Sequence, residues 1–183
     1  MQFLALFFLI FCLSGCGYHY GQGNPFTGYR TISVPYIQGD WNGELTADIV
    51  RELSQSTNLT YVRNGGALVL LAKVVDVQDD NIGFRYFRNK RNEIKKSVVP
   101  DETRLTATAE ITVLEAASGN TLAGPVYIAA SVDFDHDYYT TRHGVNIFSL
   151  GQLTDIDEAQ DAATRPLNRR LAQKIVDYLN NHW

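Results

Sequence analysis

The stretch "TRLTATAEITVL", Thr103 to Leu114, alternates without interruption: Leu105, Ala107, Ala109, Ile111 and Val113 are apolar, while Arg104, Thr106, Thr108, Glu110 and Thr112 are polar or charged. Successive side chains of a strand point to opposite faces, so this period of two predicts a strand with one dry face and one wet face. A one-sided strand belongs to a sheet whose apolar face must be covered by a second layer.

Moving outward, Ser118-Gly119-Asn120 predicts a turn, and "TLAGPVYIAASVDFD" (121–135) returns with Leu122, Val126, Ile128, Ala130, Val132 and Phe134 on one face. Gly124-Pro125 inside that run predicts a bulge or an edge position. On the other side, "ALVLLAKVVDV" (67–77) is apolar in both alternating sets, which predicts a central strand covered at least partly on both faces. The segment between these strands, "QDDNIGFRYFRNKRNEIKKSVVPDE" (78–102), is too long for a tight hairpin. Ile82, Phe84 and Tyr86 still alternate, so the strand pair can continue as a projecting ribbon.

Two helices supply the covering layer. Leu45, Ile49 and Leu53 recur every four residues behind Asp40 or Asn42, either of which can cap the helix start. Ala159, Ala163, Leu167, Leu171, Ile175 and Leu179 form a second stripe. Pro166 interrupts it, predicting a kink or a new helix beginning near Thr164, because an interior proline costs about 3 kcal/mol. "YRTISVPY" (29–36) and "LTYV" (59–62) read as short strands on either side of the first helix, which then serves as the crossover between parallel strands. The expected fold is α+β: a two-layer sandwich in which two helices cover a small mixed sheet of about four strands, in the order β-α-β-β-β-α.

The front of the chain has a different character. Phe3 to Leu13 is unbroken apolar sequence, about half the length a helix needs to cross a bilayer. Leu13-Ser14-Gly15-Cys16 follows with the small residues of a lipoprotein processing site, so residues 1–15 read as a signal peptide and Cys16 as the lipidated first residue. A lipid anchor of several acyl chains holds a protein on a membrane without making it span. Residues 16–28, rich in glycine, read as a flexible tether, leaving 29–183 as a single domain. The chain has two cysteines, Cys12 and Cys16. With the first cut away and the second capped, no thiol remains for a disulfide, a zinc site or a nucleophile. The net charge of −4 argues against nucleic acid as a partner.

"CGYHY" directly after the processing site, followed by "TISVPYI", "LTADIVREL" and "ALVLLAKVVDV", resembles the LptE family of lipopolysaccharide-assembly lipoproteins along nearly the whole mature chain. The resemblance implies a lipid-anchored protein of the inner, periplasmic leaflet of the outer membrane. Such a protein fills the lumen of a partner β-barrel, LptD, and helps deliver lipopolysaccharide to the outer leaflet. Gly17 in place of an aspartate after the lipidated cysteine matches lipoproteins sorted to that membrane. A polar-faced body suits a wet lumen, and the Thr-rich set at 104–112 fits that need.

Two clusters carry candidate chemistry. Arg85, Arg88, Lys90, Arg91, Lys95 and Lys96, set against Glu93 and beside Phe84, Tyr86 and Phe87, would suit an anionic amphiphile: cations meet phosphates while aromatics lie along acyl or sugar surface. The same charges would equally keep an exposed strand edge soluble. "DFDHDYYTTRH" (133–143) groups Asp133, Asp135, Asp137, His136 and His143, the residue types of a hard-cation or hydrolytic site. Strand geometry, however, puts His136 opposite the three aspartates. No nucleophile elbow, phosphate loop or metal-binding spacing occurs, so neither a metal nor a cofactor is expected. The leading expectation is a binding and plugging role without catalysis. Its rivals are an envelope enzyme acting through 133–143 and an unrelated lipoprotein adaptor of the same fold.

Overall fold

A computed structural model describes residues 25–55, 58–88, 91–136, 141–142, 145–146 and 156–181. The leader, Cys16 and most of the segment read as a tether lie outside them. β1 (Thr31–Ser33) leads into helix α1 (Glu44–Gln55), then β2 (Thr60–Tyr61), β3 (Leu68–Arg88), β4 (Ile94–Glu115) and β5 (Thr121–Asp135). The short strands β6 (Thr141–Arg142) and β7 (Val145–Asn146) pair with each other, and helix α2 (Ile156–Asn181) closes the chain.

The main sheet has five strands in the order β2-β1-β3-β4-β5. β1 lies parallel to both β2 and β3, while β3, β4 and β5 run antiparallel. The sheet is therefore mixed, and α1 is the crossover between two parallel strands, as the spacing predicts. Both helices pack on one face. Leu68 and Leu70 of β3 are buried there with Leu105, Ala109, Ile111 and Val113 of β4 and Ala130 and Val132 of β5, beneath Leu45, Ile49 and Leu53 of α1 and Leu167, Leu171, Ile175 and Leu179 of α2. The other face carries Leu71, Lys73, Arg104 and Tyr127, all exposed. Cover on both faces of β3, expected from its two apolar sets, is not found among the described residues: Leu71 stands open opposite Thr112.

Asp40 fixes the start of α1. Its Oδ1 accepts the Leu45 N–H at 3.3 Å, and its Oδ2 accepts the Thr46 N–H at 2.8 Å and the Thr46 hydroxyl at 2.6 Å. Asn42 Oδ1 accepts the Glu44 N–H at 3.1 Å, so both predicted caps take part. At the other end of the chain, α2 runs as one helix from Ile156 to Asn181 straight through Pro166. No new helix starts near Thr164. Pro166 and Ala162, whose carbonyl loses its helical donor, are both exposed. The stripe continues on the far side of the axis, where burial of Leu167, Leu171, Ile175 and Leu179 at about 1.5–3 kcal/mol each outweighs the ~3 kcal/mol cost of the proline.

Bulges set which side chains face inward. In β5 the register skips a residue at Gly124-Pro125, so Val113 faces Ala123 where an unbroken register would place Gly124, and Ala123 rather than Leu122 takes the inward position. Gly124 has φ +95, and a Cβ there would lie 2.5 Å from the Ile111 carbonyl oxygen, so only glycine fits this bend. Leu122 is consequently only partly buried.

The body has two distinct ends. Phe26 is buried within the segment read as tether, beside Tyr29, Leu59 and Leu179, and the Tyr29 hydroxyl donates to Glu115 at 2.7 Å. That end therefore gathers the entry of the chain, the last turn of α2 and the β4–β5 turn. β3 starts there, beside Ile32, and runs toward the opposite end.

Candidate functional site

At that opposite end β3 and β4 outrun their neighbours. β5 stops pairing with β4 at Asp135, opposite Glu102, and beyond Gly83 the two strands continue alone to the Arg88–Ile94 pair. This is the projecting ribbon expected from Ile82, Phe84 and Tyr86. Register shifts at Asn81/Gly83 and Gly83/Phe84 re-aim its side chains. Beyond them Phe84 sits opposite Pro100 and Tyr86 opposite Val98, so these four share one face. Phe84, Tyr86 and Val98 are each more than half exposed, at 56%, 59% and 51%. Arg85 lies on the reverse face, 3.9 Å from Asp101.

Of the six predicted cations, Arg85 and Arg91 are exposed on the ribbon. Arg88, Lys95 and Lys96 occupy strand positions along it. Lys90 lies outside the described residues. Asn92, with φ 63, takes the left-handed conformation of the end turn. One apolar aromatic face and a sequence dense in cations thus project together at the end remote from the chain's entry.

The second predicted cluster resolves into structural pairs. Asp133 accepts two hydrogen bonds from Arg104, at 2.7 and 2.8 Å. Those bonds hold its carboxyl below the ordinary carboxylate range against partial desolvation. Asp135 sits across from Glu102. His136 is buried, its Nε2 lying 2.7 Å from the Thr103 hydroxyl, which also donates to Asn81 Oδ1 at 3.0 Å. His136 therefore locks the point where β5 leaves β4. Asp137 and His143 lie outside the described residues, and among the described residues no group of three metal-ligating side chains converges. No described helix is long and apolar enough to cross a membrane.

Alternation alone missed one further feature. Val74 pairs with Ala109 and Asp76 with Thr108, so Val75 is an extra residue in β3. The bulge brings Val75 and Val77 to the helix-bearing side, where they line a trench of about 540 Å³ with Trp41, Leu45, Leu105 and Leu167. The only signal of it in the sequence is the valine doublet at 74–75.

Among solved structures, a minor lipoprotein from Acinetobacter baumannii is 17% identical over 84% of this chain and 92% of that one, with a TM-score of 0.47. Rare lipoprotein B from Shewanella oneidensis is 16% identical over 84% and 96%, with a TM-score of 0.49. Lipoprotein B from Nitrosomonas europaea is 10% identical over 84% and 86%, with a TM-score of 0.44. No curated protein sequence matches the chain. The family model for LptE, described as lipopolysaccharide-assembly, matches residues 29–179, which take in the sheet, the ribbon and both helices, and the chain belongs to that family.

Proposed function

We propose that this protein is a lipoprotein of the outer membrane, held in the inner leaflet by lipid on Cys16, that plugs and helps assemble an LptD β-barrel and assists lipopolysaccharide transport to the outer leaflet. The observation that carries this reading is the family match across the whole described body. The geometry supports it. Helices seal one sheet face, the other is left open with threonines and charges for a wet lumen, and an aromatic and cationic ribbon projects from the end opposite the chain's entry. The role needs no catalytic group. Asp133 and His136, which an enzyme reading would use, are engaged with Arg104 and Thr103.

In this reading Arg85, Arg88, Lys90, Arg91, Lys95 and Lys96 meet lipopolysaccharide phosphates or the barrel wall. The test is detergent extraction of envelopes carrying the affinity-tagged lipoprotein. Recovery of a large barrel together with lipopolysaccharide is expected, along with intact-mass evidence of lipid on Cys16. Recovery of the lipoprotein alone, or an unmodified Cys16 with residues 1–15 attached, overturns the proposal. Replacing all six cations by alanine should reduce the lipopolysaccharide or barrel recovered at least tenfold. Unchanged recovery of both removes the ribbon from the contact.

A further inference from the structure

The edge of β3 that faces β1 is paired only over its first part. Beyond Ile32 and Ser33 of β1, the last backbone partner is Gln38, whose carbonyl accepts the Val74 N–H at 2.8 Å and whose N–H donates to the Ala72 carbonyl at 3.3 Å. At Gly39, with φ +85, the chain then leaves the sheet. From Val75 onward β3 is bonded to β4 on one side and, among the described residues, to no strand on the other. Unpaired N–H and C=O groups along such an edge are a template for another strand.

The two outer edges of the sheet are treated differently. β2 is only two residues long. β5 contains Pro125, and α2 lays Arg170 and Lys174 onto it, donating to the Ser131 and Ala129 carbonyls at 2.7 Å each. The β3 edge has no such cover, and it runs beside the trench formed by Trp41, Val75 and Val77. Trp41 is 98% exposed and Val77 is 56% exposed. Backbone bonding along an edge, with a pocket for alternate side chains, is the geometry of strand addition. Asp76 lines the trench, and Asp79 and Asp80 are exposed further along the same strand; none forms an ion pair within 4 Å among the described residues, though Asp80 lies across from Arg104 and feels its charge. A second copy of this chain would bring like charges together at the edge, whereas lysine or arginine on a different chain would be attracted there.

We infer that the β3 edge from Val75 to Asn81, with its trench, receives an extended segment of a partner protein. The segment is apolar at the alternate positions that enter the trench and basic where it passes Asp76, Asp79 and Asp80. The inference does not depend on lipopolysaccharide, nor on the partner being a barrel.

The test places benzoylphenylalanine at Val75, Val77 or Asp79, and at Tyr127 on the open face of β5 as a control, in the full chain within its own cell envelope. Irradiated adducts are then mapped by mass spectrometry. The expected result is attachment to one segment of one partner, with the attachment point moving by two residues for each step of two along β3 and no labelling of that segment from Tyr127. Adducts scattered over many segments, no polypeptide adduct from Val77, or attachment to a second copy of this chain would each overturn the inference. A second variant, V77K, should lower the Asp79 adduct at least tenfold while thermal unfolding stays where it was. An undiminished adduct in that variant equally defeats it.

Discussion

β3 and β4 are continuous strands, yet their two halves live under different conditions. In the half that includes Leu68, Leu70, Ile111 and Val113, the helix-facing side chains are buried and β3 has neighbours on both edges. In the half beyond Val75, the side chains of Val77, Phe84, Tyr86 and Val98 are more than half exposed and β3 loses its second neighbour. Both halves are rich in β-branched and aromatic residues, so strand propensity does not separate them. Cover does: the first half holds the fold together, and the second is carried by it. Apolar surface left exposed on a structure whose core is already complete is surface available to a partner.

That contrast can be broken by mutation. Leu171→Ala empties a fully buried position in the covered half and should cost about 2–5 kcal/mol, read as a fall in thermal midpoint of roughly 2–4 °C per kcal/mol. Asp40→Ala removes three hydrogen bonds from the start of α1 and should cost about 1–2 kcal/mol in urea unfolding. In the exposed half, Phe84→Ser with Tyr86→Ser should change stability by no more than about 0.5 kcal/mol per site, while recovery of the barrel or lipopolysaccharide falls. A loss from that pair as large as that of Leu171→Ala would erase the distinction between the halves.

The smallest effect concerns Arg104, where the two regimes meet. Its bonds depress the Asp133 carboxyl, so the stabilisation is fully present above the unfolded carboxylate value of about 3.9 and is lost as pH falls through the lower folded value. Arg104→Gln should therefore be slightly less stable than the parent at pH 7, with the difference vanishing in strong acid. A pH-independent difference would mean that Arg104 acts through packing alone.

Much of the covered half is legible in the sequence because one period governs it. From Leu105 to Val113 alternation runs unbroken, and every inward residue it names is buried. Reading fails where the register slips, since a bulge changes facing without changing composition. Ala123 replaces Leu122 in the core, and Val75 and Val77 turn toward the helices, on the strength of one extra residue in each strand. Pro166 misleads for a different reason. A local propensity predicts an interruption, and the four large residues that follow outweigh it through contacts with strands far away in sequence. The cations of the ribbon were visible as a cluster. The free edge beside Trp41 was not, because an unpaired edge is defined by where β1 departs, which no residue of β3 records.

The ribbon also sets a distance. β3 has 21 residues and begins at the end where the chain enters the body. At ~3.3 Å per residue its far tip stands roughly 65 Å from its origin, against about 40–45 Å for a whole bilayer with its headgroups. A chain fastened at one leaflet and upright inside a pore could therefore present Tyr86 and its neighbours past the opposite headgroups without itself ever touching hydrocarbon. In the proposed role the strand pair is a ruler, and removing two residues from each arm would draw the tip back by about 7 Å.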